Sequence, residues 1–236
     1  MSLARCTARC LALSLALCAC EQSVAPIQVG SGCPEQPERG PNQWASNPDA
    51  RLIDDFERGD LSLPRIGGRD GYWVLGDDGT FQSLRADNSA ECAARGSRAG
   101  HFTGNGFSDW GANWTAVLQN TTVDDNAVGY DASAYSGLSF WAAVGGKNAG
   151  PVSVPVGVTT LDVAWNGGVC TTCMDYYRTL VWLTPTWQRL LIRFADLAQN
   201  GTGAPLVPLR LDQMVGFIVW PDQDFDVWFD DLRFEP

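Results

Sequence analysis

The sequence predicts an all-β protein built as an antiparallel sandwich or barrel. Short apolar runs recur along the chain, broken by Gly, Asn, Asp and Pro. Several runs alternate apolar and polar residues with a period of two, as a half-buried strand requires. No segment sustains a helical period; only residues 195–199 are suited to a single turn. With 236 residues, 45% hydrophobic and 18% charged, the chain has enough apolar material for one domain with a real core.

Taken in order, residues 1–19 read as a targeting segment. Arg5 and Arg9 form a positive region, and Leu11 to Leu17 is an apolar run too short to span a bilayer. The run Leu17-Cys-Ala-Cys20 resembles the lipobox of bacterial lipoproteins, with Cys20 as the acylated cysteine and Cys18 where Ala, Ser or Thr is usual. A cleaved secretory signal is the alternative. Both imply export, to the bacterial cell envelope as an outer-membrane lipoprotein or into the medium. Residues 20–50 are rich in Pro, Gln, Gly and Asn and read as a tether. The domain is expected over 51–236.

Within it, strands are expected at 51–56, 72–75, 98–103, 114–118, 138–143, 152–158, 177–183, 188–194, 214–220 and 226–234. In the eighth, Leu190, Ile192 and Phe194 face one way while Arg189 and Arg193 face the other. In the last, Trp228, Leu232 and Phe234 fall on one face, and Val227, Phe229 and Asp231 on the other. That strand carries Asp226, Asp230 and Asp231 among its aromatics. The run Leu52-Ile-Asp-Asp-Phe-Glu57 mirrors it at the other end, so the two are expected to lie side by side and share a cation.

Export permits disulfides. Setting aside Cys6, Cys10, Cys18 and Cys20, four cysteines remain, which allow three pairings. Cys170–Cys173 within one loop and Cys33–Cys92 clamping the N-terminal segment are favoured. Zinc would need four widely and unevenly spaced cysteines with no histidine. A redox Cys-x-x-Cys opens a helix, whereas this one sits in a loop.

The formal charge of -11 sets the chain against nucleic acid and anionic lipid, which would be repelled. His101, the only histidine, sits mid-strand as a half-buried residue, and no Gly-x-Ser-x-Gly elbow is present. In 51–234 the only Glu are Glu57 and Glu91, and the Glu-x-Asp-x-x-Glu pattern of sandwich glucanases is absent. No Gly-rich loop suited to phosphate occurs.

Five stretches in order carry a family likeness: 52–60, 71–80, 135–141, 184–190 and 227–234. Together they resemble jelly-roll carbohydrate-binding modules of the galactose-binding-domain-like superfamily, particularly family 11. The likeness covers about residues 51–235 and implies an antiparallel jelly-roll sandwich. It also implies a structural calcium where first and last strands meet, with Asp55, Glu57, Asp230 and Asp231 as candidate ligands. Calcium takes six to eight oxygens, and strand neighbours point to opposite faces, so not all of these acids can converge. A module of this kind usually accompanies a catalytic domain, which this sequence lacks.

Sugar binding needs flat aromatic faces with acceptors for hydroxyls. The loop segments 106–114 and 165–178 offer Asp109, Trp110 and Trp114, and Asp175, Tyr176, Tyr177 and Arg178, the latter loop stiffened by its disulfide. Trp141, Trp182 and Trp228 lie in apolar strands and are expected in the core, and the resemblance implies a buried packing role for Trp187. The expectation is a monomeric, non-catalytic binder of poly- or oligosaccharide. An envelope protein-interaction module and a small polysaccharide hydrolase or lyase are the alternatives.

Overall fold

A computed structural model describes residues 32–36, 49–123, 125–145, 150–168, 170, 173–201, 206–221 and 223–236. The targeting segment, Cys20 and most of the tether lie outside the described residues.

Thirteen strands are present among them: β1 (Leu52–Asp54), β2 (Tyr72–Asp77), β3 (Ser83–Ala90), β4 (Ala99–Asn105), β5 (Ala112–Val117), β6 (Thr122–Val123), β7 (Asn126–Ala127), β8 (Gly137–Val144), β9 (Val152–Thr160), β10 (Tyr177–Leu183), β11 (Gln188–Arg193), β12 (Met214–Val219) and β13 (Phe225–Glu235). One sheet runs β11-β8-β13-β4-β3, with β1 also on β13; the other runs β10-β9-β12-β5-β2. Every pairing within these sheets is antiparallel. This is the expected antiparallel sandwich. Three strands were not expected from the sequence. β3, an edge strand, reads Ser-Leu-Arg-Ala-Asp-Asn-Ser-Ala and shows too few large apolar residues; β6 and β7 are an antiparallel pair of two residues each.

Alternation on the central strands fills the core between the sheets. β8 contributes Leu138, Phe140, Ala142 and Val144; β9 contributes Val154, Val156 and Val158; β12 contributes Phe217 and Val219. An aromatic stack anchors one end, with Trp73 and Trp114 centroids 4.3 Å apart and Phe56 5.5 Å from Trp73. Gly100 makes room for it, since a Cβ there would lie 2.5 Å from Phe56 and 2.6 Å from Trp114. On β11, Ile192 is buried and Leu190 half-buried against the core while Arg189 and Arg193 are exposed, as the alternation required.

β13 corrects the face assignment. Phe225, Val227 and Phe229 point into the core, and so do Leu232 and Phe234, whereas Trp228 points outward. A register shift between Asp230 and Arg233 restores the inward face, with Asp231 at φ 48°. A bulge inserts one residue and flips the alternation, and Asp is among the residues that tolerate this left-handed conformation. Before the bulge β13 pairs with β4; after it, Leu232 and Arg233 pair with Asp54 and Leu52 of β1. First and last strands therefore do lie side by side.

The outer face of the six-stranded sheet carries a second apolar cluster of Ala99, Trp141, Ala143, Trp187 and Trp228. Trp141, Trp187 and Trp228 are buried as expected, but here rather than between the sheets. A strap covers this patch: Cys33 is bridged to Cys92, and Ala93 and Ala94 pack on the cluster. Glu35 pairs beside Thr186, its N–H donating to Pro185 O (2.7 Å) and its O accepting from Trp187 N (2.9 Å). Residues 32–36, read in the sequence as tether, are thus docked on the sandwich. His101 lies alongside on β4, stacked 3.7 Å from Trp228, with Nε2 2.8 Å from Asp226 Oδ1.

Candidate binding cleft

The outer face of the five-stranded sheet bears a cleft of about 570 Å³. Its floor comes from Val74 of β2, Thr115 and Val117 of β5, Val215 of β12 and Thr159 of β9, with Ile218 of β12, which also packs on the core cluster. These residues lie next to one another because β2, β5, β12 and β9 are hydrogen-bonded neighbours. Val74 faces Thr115, and Thr115 faces Ile218.

Aromatic side chains form the walls. Trp110, Trp165, Tyr72, Tyr176 and Trp220 all line the cleft. Trp220 is their hub: its Nε1–H donates to Trp110 O (2.9 Å), and its ring meets Trp110 and Tyr176 edge-on at 6.0 and 5.7 Å. Arg178 stands 5.4 Å over the Trp220 ring. Trp165 is 70% exposed, at the lip of a loop supported by the Ala127 N–H donating to Asn166 O (2.7 Å). The same loop is closed by the Cys170–Cys173 bridge, and Cys173 is itself part of the wall.

Polar groups are few and neutral except for Asp77, the only charged residue of the lining among the described residues. Asn113, Asn166, Thr115 and Thr159 supply amides and hydroxyls. Asn113 Oδ1 accepts from Thr115 Oγ1 (3.2 Å), and its amide NH₂ donates to no group among the described residues. Burial pushes the Tyr176 hydroxyl up to about 12, so it stays a neutral donor and acceptor. An apolar trough with flat rings and sparse, uncharged hydrogen-bonding groups suits a ligand with both apolar faces and hydroxyls.

The residues singled out in the sequence divide. Trp110 and Tyr176 meet in the cleft, and Arg178 lies beside it. Trp114 is a correction: it is fully buried, packed on Trp73, Phe56 and Phe102, because the odd-to-even alternation of β5 turns it inward. Tyr177 is a second, buried in the core with its hydroxyl donating to Val207 O (3.0 Å). Asp175 is a third: only 2% exposed, it accepts from Asn200 N (3.1 Å) and Gly201 N (2.8 Å) and so organises a loop. Asp109 is exposed on the bend before Trp110 and is not part of the lining. Trp182, expected in the core, is 65% exposed on the outer face of edge strand β10. Trp220, Trp165 and Tyr72 were not singled out. Trp220, just past the end of a strand and before Pro221, offered the best available signal.

The acids expected to hold a cation lie along the seam between β1 and β13, where Asp55 Oδ1 accepts from Glu57 N (3.3 Å). Glu57 accepts from Ser97 N (2.7 Å), Ser97 Oγ (2.6 Å) and Arg98 N (2.9 Å). Asp231 accepts from Arg95 (3.0 Å) and Arg233 (2.7 Å), and Asp230 Oδ2 from Arg95 N (2.7 Å). Asp54 is buried, accepting from Trp73 Nε1 (2.6 Å) and Phe56 N (2.9 Å). Among the described residues no three acidic, histidine or cysteine side chains are gathered into a metal-holding group. One observation points the other way: Asp230 Oδ1 is buried with no hydrogen-bond partner. Burial, with Asp231 and Glu57 nearby, pushes the Asp230 carboxyl well above the ordinary range.

No family model matches the chain, and no curated protein matches it. Solved structures do. A family 11 carbohydrate-binding module from Clostridium thermocellum, in complex with a β-1,3-1,4-mixed-linked tetrasaccharide, superposes with TM-score 0.52 at 14% identity over 78% of this chain and 94% of that one. The family 11 module of a cellulosomal cellulase of the same organism gives TM-score 0.50 at 13% identity over 81% and 96%. At that identity the likeness is one of fold: this chain folds as the antiparallel jelly-roll sandwich that those modules share.

Proposed function

We propose that the protein is a non-catalytic carbohydrate-binding domain that holds a neutral poly- or oligosaccharide in the cleft. The observation that carries this reading is the group of rings around Trp220, set over a sheet face with almost no charge. Trp220, Trp110 and Tyr176 stack on or edge against pyranose faces, and Asn113, Thr115, Thr159 and Asp77 bond hydroxyls. Two family 11 modules of like fold, one with a tetrasaccharide bound, support it. Export behind the N-terminal segment, with Cys20 as lipid anchor, and action as a monomer belong to the same proposal. Among the described residues no helix is long and apolar enough to cross a membrane.

The seam is proposed to take calcium. Oxygen donors are what calcium requires, and Asp55, Glu57, Asp230 and Asp231 supply them, with the unpartnered Asp230 Oδ1 as the ready ligand. Bound there, the ion would add positive charge between the first and last strands; Arg95 and Arg233 meet part of that need already.

Affinity electrophoresis in gels containing soluble glucans or xylans tests the sugar reading. Retardation on at least one neutral polysaccharide, reduced about tenfold in apparent affinity by Trp220→Ala, is expected. Equal mobility in every gel sinks it.

A further inference from the structure

A second hollow of about 320 Å³ adjoins the cleft, lined by Arg58, Ser62, Arg65, Asp70, Tyr72 and Asn120 among others. Tyr72 belongs to both linings and so stands where the two meet. The two differ in chemistry. The cleft is aromatic with a single charged residue, whereas the hollow brings two guanidinium groups and a carboxylate to one place. Arg58 is partly satisfied by Asp60 at 3.6 Å. Arg65 is exposed and has no carboxylate within ion-pair distance among the described residues. Asp70 Oδ1 accepts from Asn120 N (3.0 Å), which fixes its carboxylate and leaves Oδ2 open toward further donors. The loop itself is held by β-type bonds, with Leu63 N donating to Gly71 O (2.9 Å) and Trp73 N to Leu61 O (2.7 Å).

We propose that this hollow is a separate subsite for a uronosyl residue borne on the glycan chain lying in the cleft. A uronosyl sugar carries a carboxylate and hydroxyl donors on one ring. Arg65 meets the carboxylate with a planar fork of N–H donors, Asp70 accepts from the hydroxyls, and Tyr72 gives the ring an apolar wall. A neutral sugar would leave Arg65 with hydroxyls only. The net charge of -11 does not oppose this, because at physiological salt its field is screened beyond about 8 Å and the local guanidinium decides. It does oppose a chain charged at every residue, so the ligand is a mostly neutral backbone with occasional acidic branches.

This rests on the carbohydrate reading of the cleft, and titration calorimetry separates the two. Matched oligosaccharides with and without a uronosyl branch are titrated into the wild type and Arg65→Ala. The branched ligand is expected to bind about tenfold more tightly, an advantage lost in Arg65→Ala and shrinking as salt is raised, while the unbranched affinity stays within about twofold. If the unbranched ligand binds but the branch adds nothing, or Arg65→Ala weakens both ligands equally, the subsite is overturned and the cleft stands. If neither ligand binds, both fall. Arg65 is exposed, so the variant folds, and an unchanged melting temperature verifies that.

Discussion

Two tryptophans, one on strand β5 and one on the loop after β9, show how a single position divides stability from function. Trp114 fills the core against Trp73, Phe56, Phe102 and Phe229. Trp165 touches solvent over most of its surface. Trp114→Ala is expected to cost about 3–5 kcal/mol, read by denaturant unfolding. Trp165→Ala is expected to leave stability within about 0.5 kcal/mol and act only on ligand affinity. Asp54 supplies a second residue-scale prediction. Burial pushes its carboxyl from the ordinary 3.8 up to about 7, against the Trp73 and Phe56 donors that favour its ionised form. A carboxyl whose folded pKa is raised binds its proton more tightly in the folded state. Its contribution to stability is therefore full below about pH 4 and is lost as pH rises through about 7. Asp55 and Asp230 are raised too, chiefly by burial, and act in the same direction. The melting temperature is expected to fall between pH 5 and pH 8, and Asp54→Asn to flatten that slope; an unchanged slope in the variant would contradict the assignment.

At the scale of elements, the strap and the bulge hold the sandwich closed. The Cys33–Cys92 bridge ties chain positions 59 apart and draws the strap over Trp141, Trp187 and Trp228. Cys33→Ser with Cys92→Ser is expected to lower stability by about 2–4 kcal/mol and to red-shift tryptophan emission. No change in either would mean the strap contributes nothing. The elements differed in how plainly the sequence showed them. β11, with period two and charged residues on one side, was legible outright, as was the Asp-Asp symmetry that pairs β1 with β13. β3 was not, because an edge strand needs few large apolar residues. The bulge in β13 was not either. An inserted residue leaves no trace in composition, and it reversed the face assigned to Trp228.

For the whole molecule, the sandwich separates its tasks by side. One outer face is sealed by the strap, the other carries the cleft, and the seam of first and last strands fastens the ends. Fold class was readable because strand alternation is local. The site was readable only in part, because a cleft is assembled from loops far apart in the chain. Trp110 and Tyr176 came from the right loops, yet Trp220, Tyr72 and Trp165 join them only through sheet order. Calcium at the seam predicts that added calcium raises the melting temperature and chelator lowers it, with the effect shrinking as pH falls, because burial raises the Asp55 and Asp230 carboxyls and favours their protonated form. A melt indifferent to both would leave the seam to Arg95 and Arg233 alone.

Rings over the five-stranded sheet are proposed to hold a sugar chain. Titration calorimetry of a soluble neutral oligosaccharide into the wild type, Trp220→Ala and Trp165→Ala tests this most directly. Saturable binding in the wild type, weakened about tenfold or more by Trp220→Ala and less by Trp165→Ala at unchanged fold, is the predicted result. Binding that survives both substitutions intact would place the ligand elsewhere and contradict the account.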